Sequence, residues 1–117
     1  MSPEDRVWLA GLLEGEGTFD LHRGRYPRIR VGMKDRDVVG RAATLLGARV
    51  RLTLRPAPFA AMWHAEVSGT RAAEIMATLL PHMGARRSAK IAEILGHSEW
   101  SGATPRITRP PALPMGA

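Results

Sequence analysis

Two segments of this chain alternate strictly between apolar and basic side chains. From Arg49 to Arg55, Val50, Leu52 and Leu54 point one way while Arg49, Arg51, Thr53 and Arg55 point the other. From Arg28 to Lys34, Ile29, Val31 and Met33 oppose Arg28, Arg30 and Gly32. A period of two is that of a β-strand with one buried face. Strands of this kind need cover on the apolar side and can leave the arginine side wet, which antiparallel sheets tolerate. The chain is therefore expected to form an α+β domain with its helices on one face of a sheet.

The remaining elements fit that plan. Ser2 is a good N-cap, Pro3 suits the first helical position, and Asp5 stands where a capping-box acid goes. Val7, Trp8, Leu9, Leu12 and Leu13 follow, too apolar for a helix with one buried face, and Gly15 and Gly17 are expected to end it. Thr18 to Arg23 alternates and reads as a strand, with Gly24-Arg25-Tyr26-Pro27 as the turn into the next. Asp35 is expected to cap a helix over 36–46, stopped by Gly47. Pro56-Ala57-Pro58 breaks the strand that begins at Arg49. Ala61 to Val67 is a further strand, for which either Trp63, Ala65 and Val67 or Met62, His64 and Glu66 could face inward. A helix follows from Gly69 and Thr70, with Ala73, Met76, Ala77 and Leu80 on its inner stripe and Pro81 at its end. A last helix runs over 86–95 and closes at Gly96. Residues 1–100 then make one domain, and 101–117, with prolines among small residues, a flexible tail.

Composition narrows the chemistry. With 117 residues the chain can bury a real core unaided, and with no cysteine it has no disulfides, thiolate metal sites or cysteine nucleophile. No stretch approaches the roughly 18 apolar residues of a membrane span, and the acidic, polar start does not read as a signal peptide. A soluble cytoplasmic protein is expected. The net charge is +6, and it comes from 15 arginines against only 2 lysines. Ten basic residues lie between Arg23 and Arg55 against the two acids Asp35 and Asp37. Arginine suits bidentate recognition of phosphate and of guanine, and a clustered basic stripe is the footprint of a nucleic-acid binder. Asp20, His22, Arg25, Arg28, Arg30, Arg49, Arg51, Thr53 and Arg55 are the candidate nucleic-acid contacts, as outward positions on strands and turns. The chain has no asparagine or glutamine, so the common bidentate reading of adenine is missing and a guanine-rich target is expected. His22, His64, His82 and His97 are not at metal-ligand spacing.

The segment Leu9-Ala10-Gly11-Leu12-Leu13-Glu14-Gly15-Glu16-Gly17 holds the most specific signal. Ala10 and Gly11 let another backbone approach, and a carboxylate beside a free carbonyl at a helix exit is hard-oxygen ligation suited to magnesium. The segment resembles the motif of the LAGLIDADG homing endonucleases: Leu9, Ala10, Gly11, Leu12 and Gly17 agree, Leu13 replaces isoleucine, and Glu14 and Glu16 replace aspartates. The order helix, two strands, helix, two strands, helix also fits, over roughly 3–100. The resemblance implies a four-stranded antiparallel, saddle-like sheet with helices on one face (αββαββα). It implies Mg2+, or another divalent cation such as Mn2+, held by Glu16 and the Gly15 carbonyl, with Lys34 and Arg86 as basic catalytic residues. Where relatives often carry glutamine before that lysine, this chain has Met33. With one motif copy, it implies a homodimer meeting through Trp8, Leu9, Ala10, Gly11 and Leu12, on a near-palindromic DNA site. The function so implied is metal-dependent, site-specific cleavage of double-stranded DNA. The alternative is a non-catalytic binder on the same scaffold, an RNA splicing maturase or a DNA-binding regulator.

Overall fold

The computed structural model of the chain describes residues 1–54, 56 and 61–97. Arg55, Trp100 and the segment 101–117 lie outside the described residues. Helix α1 spans Pro3–Glu16. Its start is a full capping box: the Ser2 hydroxyl accepts from the Asp5 amide at 3.0 Å, and the Asp5 carboxylate accepts from the Ser2 amide at 3.2 Å. The helix runs straight through Gly15, which was expected to help end it, and stops only at Gly17. There the chain turns at once into a strand. A Cβ on Gly17 would lie 2.6 Å from Leu13 Cδ2 and 2.9 Å from Leu13 Cα. Only glycine allows so abrupt an exit against the preceding turn.

Strands β1 (Gly17–His22) and β2 (Tyr26–Met33) form an antiparallel hairpin, in register from Gly17 with Val31 to His22 with Tyr26. The turn is Arg23 to Arg25, tighter than the sequence suggested, because Arg23 and Gly24 both adopt positive φ (56° and 70°). Tyr26 and Pro27 consequently belong to β2. Helix α2 (Arg36–Leu46) follows, with Asp35 at its N-cap making no side-chain capping bond, contrary to expectation. Gly47, at φ 72°, closes it. Strand β3 is only Arg51–Thr53, although the alternation there extends over 49–55. It is an edge strand, and its ladder with β4 (Met62–Ser68) consists of the pairs Arg51–His64, Leu52–Trp63 and Thr53–Met62. The sheet order is β1-β2-β4-β3, and every neighbouring pair is antiparallel.

Helix α3 (Thr70–Leu79), a short 3-10 turn (Leu80–His82) and α4 (Ala85–Leu95) complete the domain. Phe19, Ile29, Val31 and Ala65 face the helices, and with Leu9, Leu13, Val39, Leu46, Ile75, Met76, Leu79, Ile91 and Ile94 they form one core. Each large side chain so buried contributes about 1.5–3 kcal/mol. The inner stripe of α3 is Ala72, Ala73, Ile75, Met76 and Leu79; Ala77 is exposed and Leu80 half-buried, so that face is rotated from the expected one. The fold class itself is as expected: α+β, with a four-stranded antiparallel sheet in αββαββα order.

Glycines of α1 divide by environment, and thermal melts should separate them. Gly17→Ala is expected to lower Tm by several degrees, because the added carbon meets the Leu13 backbone. Gly11→Ala, with nothing within 4 Å of the added carbon, is expected to raise it by the helix-propensity gain of about 1 kcal/mol, or about 4–8 °C.

Candidate nucleic-acid interface

Register decides which residues share the uncovered face of the sheet. Thr18, Asp20 and His22 on β1 lie with Arg28, Arg30 and Gly32 on β2, with Glu66, His64 and Met62 on β4, and with Arg51 and Thr53 on β3. The two-way ambiguity in β4 is resolved: Trp63, Ala65 and Val67 turn toward the helices. His64, Glu66 and Met62 are therefore members of this face that the sequence left open. The signal for His64 was Gly32. A Cβ on Gly32 would lie 2.7 Å from His64 Nδ1, so the glycine among the arginines makes room for this ring.

Several of the outward arginines are held by acids. Asp20 accepts two bonds from Arg28, Nε to Oδ1 at 2.9 Å and Nη2 to Oδ2 at 3.0 Å, and one from Arg30 Nη2 at 2.8 Å. Arg28 Nη1 lies 2.9 Å from His22 Nδ1. Arg51 Nη2 pairs with Glu66 at 3.3 Å. Arg25 sits in the hairpin turn, its guanidinium 5.3 Å from the Tyr26 ring centre. Arg49 is exposed just ahead of β3, and Thr53 ends it. Bidentate pairs are the strong form of charge-assisted bond, so Asp20 and Arg28 form a fixed unit, whereas Arg51 is held more loosely.

Glu16 is exposed at the end of α1 and lines a groove of about 480 Å³ across this face, with Thr18, Arg30, Gly32, Arg51, Thr53, His64 and Glu66. The structure thus brings the motif acid together with two of the candidate arginines. Gly15 lies in the last turn of α1, where carbonyls lack intrahelical partners. Lys34 is exposed three residues beyond Val31, the partner of Gly17, at the same end of the sheet, but it does not line the groove. Arg86 lines a separate hollow with Thr18, Phe19, Arg87 and Lys90. Thr18 is the wall common to both, so Glu16 and Arg86 approach β1 from its two sides. Arg87 instead turns over Phe19, 5.9 Å from the ring centre. Glu14 has a role that spacing did not disclose. Its carboxylate accepts from the Gly84 amide at 2.8 Å, and Gly84 is the N-cap of α4. The motif helix is thereby tied to the helix that carries Arg86. Among the described residues no group of three or more His, Cys, Asp or Glu side chains could hold a metal.

The contact surface expected on α1 needs correction. Leu9 and Ala10 are fully buried in their own chain, packed in the core, and are not free to meet a partner. Trp8 and Leu12 are half-buried, and Trp8 is stacked by Arg41 at 4.1 Å, itself within 3.7 Å of Asp5. The exposed line along α1 is Val7, Gly11 and Gly15, spaced four apart on one helix face.

No protein-family model and no curated protein matches the chain. Solved structures do. The homing endonuclease I-CvuI in complex with its target matches with a TM-score of 0.58 and 18% identity, over 80% of this chain and 67% of that one. The homing endonuclease I-TnaI matches at 0.54 and 15% identity, over 76% and 67%. The group I intron-encoded homing endonuclease I-CeuI, complexed with DNA, matches at 0.55 and 17% identity, over 80% and 55%. At these identities the likeness is one of fold: this chain has the fold of the homing endonucleases.

The Asp20 unit has a pH signature. Hydrogen bonds from Arg28, and then the charges of Arg30 and Arg28, hold the Asp20 carboxyl below its ordinary value, against an opposing effect of burial. A depressed folded pKa stabilises at pH above the unfolded value and loses that contribution as pH falls through the folded one. The stability gap between wild type and Asp20→Asn in denaturant melts should therefore stay constant from neutral pH to about 5 and close below about 4. A gap closing nearer neutrality would assign the titration to another group.

Proposed function

We propose that this chain is one subunit of a divalent-metal-dependent, site-specific endonuclease for double-stranded DNA, working as a homodimer on a near-palindromic site. The observation that carries the reading is the placement of Glu16. The helix whose residues resemble the LAGLIDADG motif ends at the rim of a groove lined by Arg30 and Arg51, in a chain with the homing-endonuclease fold.

The donor set fits Mg2+ or Mn2+. The Glu16 carboxylate and the Gly15 carbonyl are hard oxygens, and magnesium is commonly held by one or two carboxylates together with substrate phosphate and water. Of the two acids in the groove Glu66 is paired with Arg51, and one remaining carboxylate per chain fits a site completed by DNA and a second subunit. A divalent cation bound there supplies an activated water and neutralises charge on the phosphate and the leaving oxygen. Glu16 would fix it as an anion whose approach is set by the Gly17 exit. Arg51, in the wall of the same groove, draws a phosphate in through charge-assisted bonds. Arg86 and Lys34, at the margins, offset charge that develops in the transition state. One glutamate in place of aspartate moves that carboxylate outward by one carbon and leaves its charge unchanged.

Digestion of a randomised duplex library in Mg2+ tests the reading. Wild type is expected to cut, and Glu16→Gln to keep duplex binding while losing cleavage by about 100-fold or more, the scale of removing one charged group aimed at the reacting centre. Bound but uncut DNA from the wild type would favour the non-catalytic binder.

The homodimer has its own test. Two copies packed along Val7, Gly11 and Gly15 need the glycines for close approach of the helices, as small residues four apart allow. Gly11→Leu is expected to sediment as a folded monomer with native circular dichroism, because its side chain meets nothing in its own chain, and with a Tm that no longer rises with protein concentration. Dimerisation surviving that change would move the interface elsewhere.

A further inference from the structure

Arg28 and Arg30 project from one strand of the same hairpin, yet their donors are spent differently. Arg28 has Nε and Nη2 on Asp20 and Nη1 against His22, and its side chain is only 19% exposed. Arg30 has Nη2 alone on Asp20 and is 46% exposed. Among the described residues its Nε and Nη1 have no hydrogen-bond partner. Reading a guanine requires two donors of one guanidinium presented side by side to O6 and N7. Arg28 has already given its Nε/Nη2 fork to a carboxylate. Arg30 keeps enough donors for the task, on a side chain held at one point.

We infer that Asp20 is a positioning residue for base recognition: it turns Arg28 into a strut and holds Arg30 as the reader of a guanine in each half-site. The inference rests on the DNA-binding reading above. Three physical consequences make it specific. Arg30 sits near the middle of β2, an inner strand, opposite Thr18 on β1 and Glu66 on β4, so its remaining donors are presented at the centre of the wet face and not at its rim. A guanidinium fixed before binding loses less rotamer freedom on contact, so more of the contact energy appears as affinity. The Asp20 charge also cancels part of the local attraction for phosphate, which carries no sequence information. Without Asp20 both arginines would be free to swing onto the backbone. Asp20 thus trades non-specific affinity for discrimination, and a purely structural role would change both in the same direction. The Arg51–Glu66 pair, at 3.3 Å and with Arg51 59% exposed, is a looser arrangement that does not fix a fork in the same way.

The test is binding-site selection from a randomised duplex library in EDTA, which keeps bound DNA intact. It uses wild type, Asp20→Asn, Arg30→Ala and Arg28→Met, each checked by thermal melt. Wild type is expected to select guanine at one dominant position per half-site. Arg30→Ala should lose that preference, by about 5- to 150-fold, the range for one bidentate base contact. Asp20→Asn should weaken the same preference while binding unselected duplex more tightly and with a steeper salt dependence. Arg28→Met should lower Tm and keep the guanine preference. The inference is overturned if Asp20→Asn leaves the selected sequence unchanged, or if the preference goes with Arg28 rather than Arg30. A wild type that binds duplex without any sequence preference overturns it while leaving DNA binding intact. A wild type that binds no duplex at all overturns both.

Discussion

Everything functional in this chain depends on the sheet being buried on one side only. Phe19, Ile29, Val31 and Ala65 are almost completely removed from water beneath the helices. Because side chains alternate along a strand, that burial forces Thr18, Asp20, Arg28, Arg30, His64 and Glu66 onto the opposite face. A slip of one residue in the β1–β2 or β2–β4 pairing would put arginines into the core and Phe19, Ile29 or Val31 into water; β3, whose Leu52 is 46% exposed, is not held in this way. The hydrophobic core thus specifies the register of the cationic surface, and no polar contact on that surface needs to do so. The acids there are free to serve a different purpose, which is to orient their arginines.

The second constraint is the junction at Gly17. A helix that ends and becomes a strand within one residue delivers its last side chain, Glu16, to the rim of the sheet instead of along the helix axis. No side chain fits at Gly17, because a Cβ there would run into Leu13, which is fully buried and has nowhere to yield. Glu14 adds a tie of the opposite sense. Its carboxylate satisfies one of the orphan amides at the start of α4 and meets the positive end of that helix dipole. The two acids of the motif therefore divide the work. One fastens the helix layer together, and the other faces solvent in the groove.

This division explains what the sequence could and could not disclose. Element order and the identity of the wet face were legible because alternation and helical spacing are local and survive without tertiary information. Helix α2 and the capping box of α1 appear where residue chemistry put them. The failures come where partners decide. Arg49 to Arg55 has an unbroken alternation, yet among the described residues β3 pairs only over Arg51–Thr53, although its neighbour β4 runs on to Ser68. The facing of Met62 to Ser68 depended on its register with Gly32. Leu9 and Ala10 are as apolar as a dimer contact requires, but their place in the turn of α1 sends them into their own core and leaves Val7, Gly11 and Gly15 outside. In the candidate site, Glu16 was legible from the motif alone. His64 and the tie from Glu14 to Gly84 were not, because the latter pair is separated by 70 residues.

On the function proposed above, a chain with 15 arginines and neither asparagine nor glutamine faces a particular difficulty in telling one DNA sequence from another. Arginine is drawn to every phosphate, and a surface built from it binds duplex indiscriminately unless something restrains it. Asparagine and glutamine read bases without a charge; here that means is absent from the composition. Carboxylates interleaved with the arginines are the remaining solution. They lower the net charge of the face at its centre, and Asp20 fixes the guanidinium plane of Arg28. If the proposed DNA reading holds, Asp20 shapes recognition as much as the arginines beside it, because an acid there determines which donors of each guanidinium remain to meet DNA.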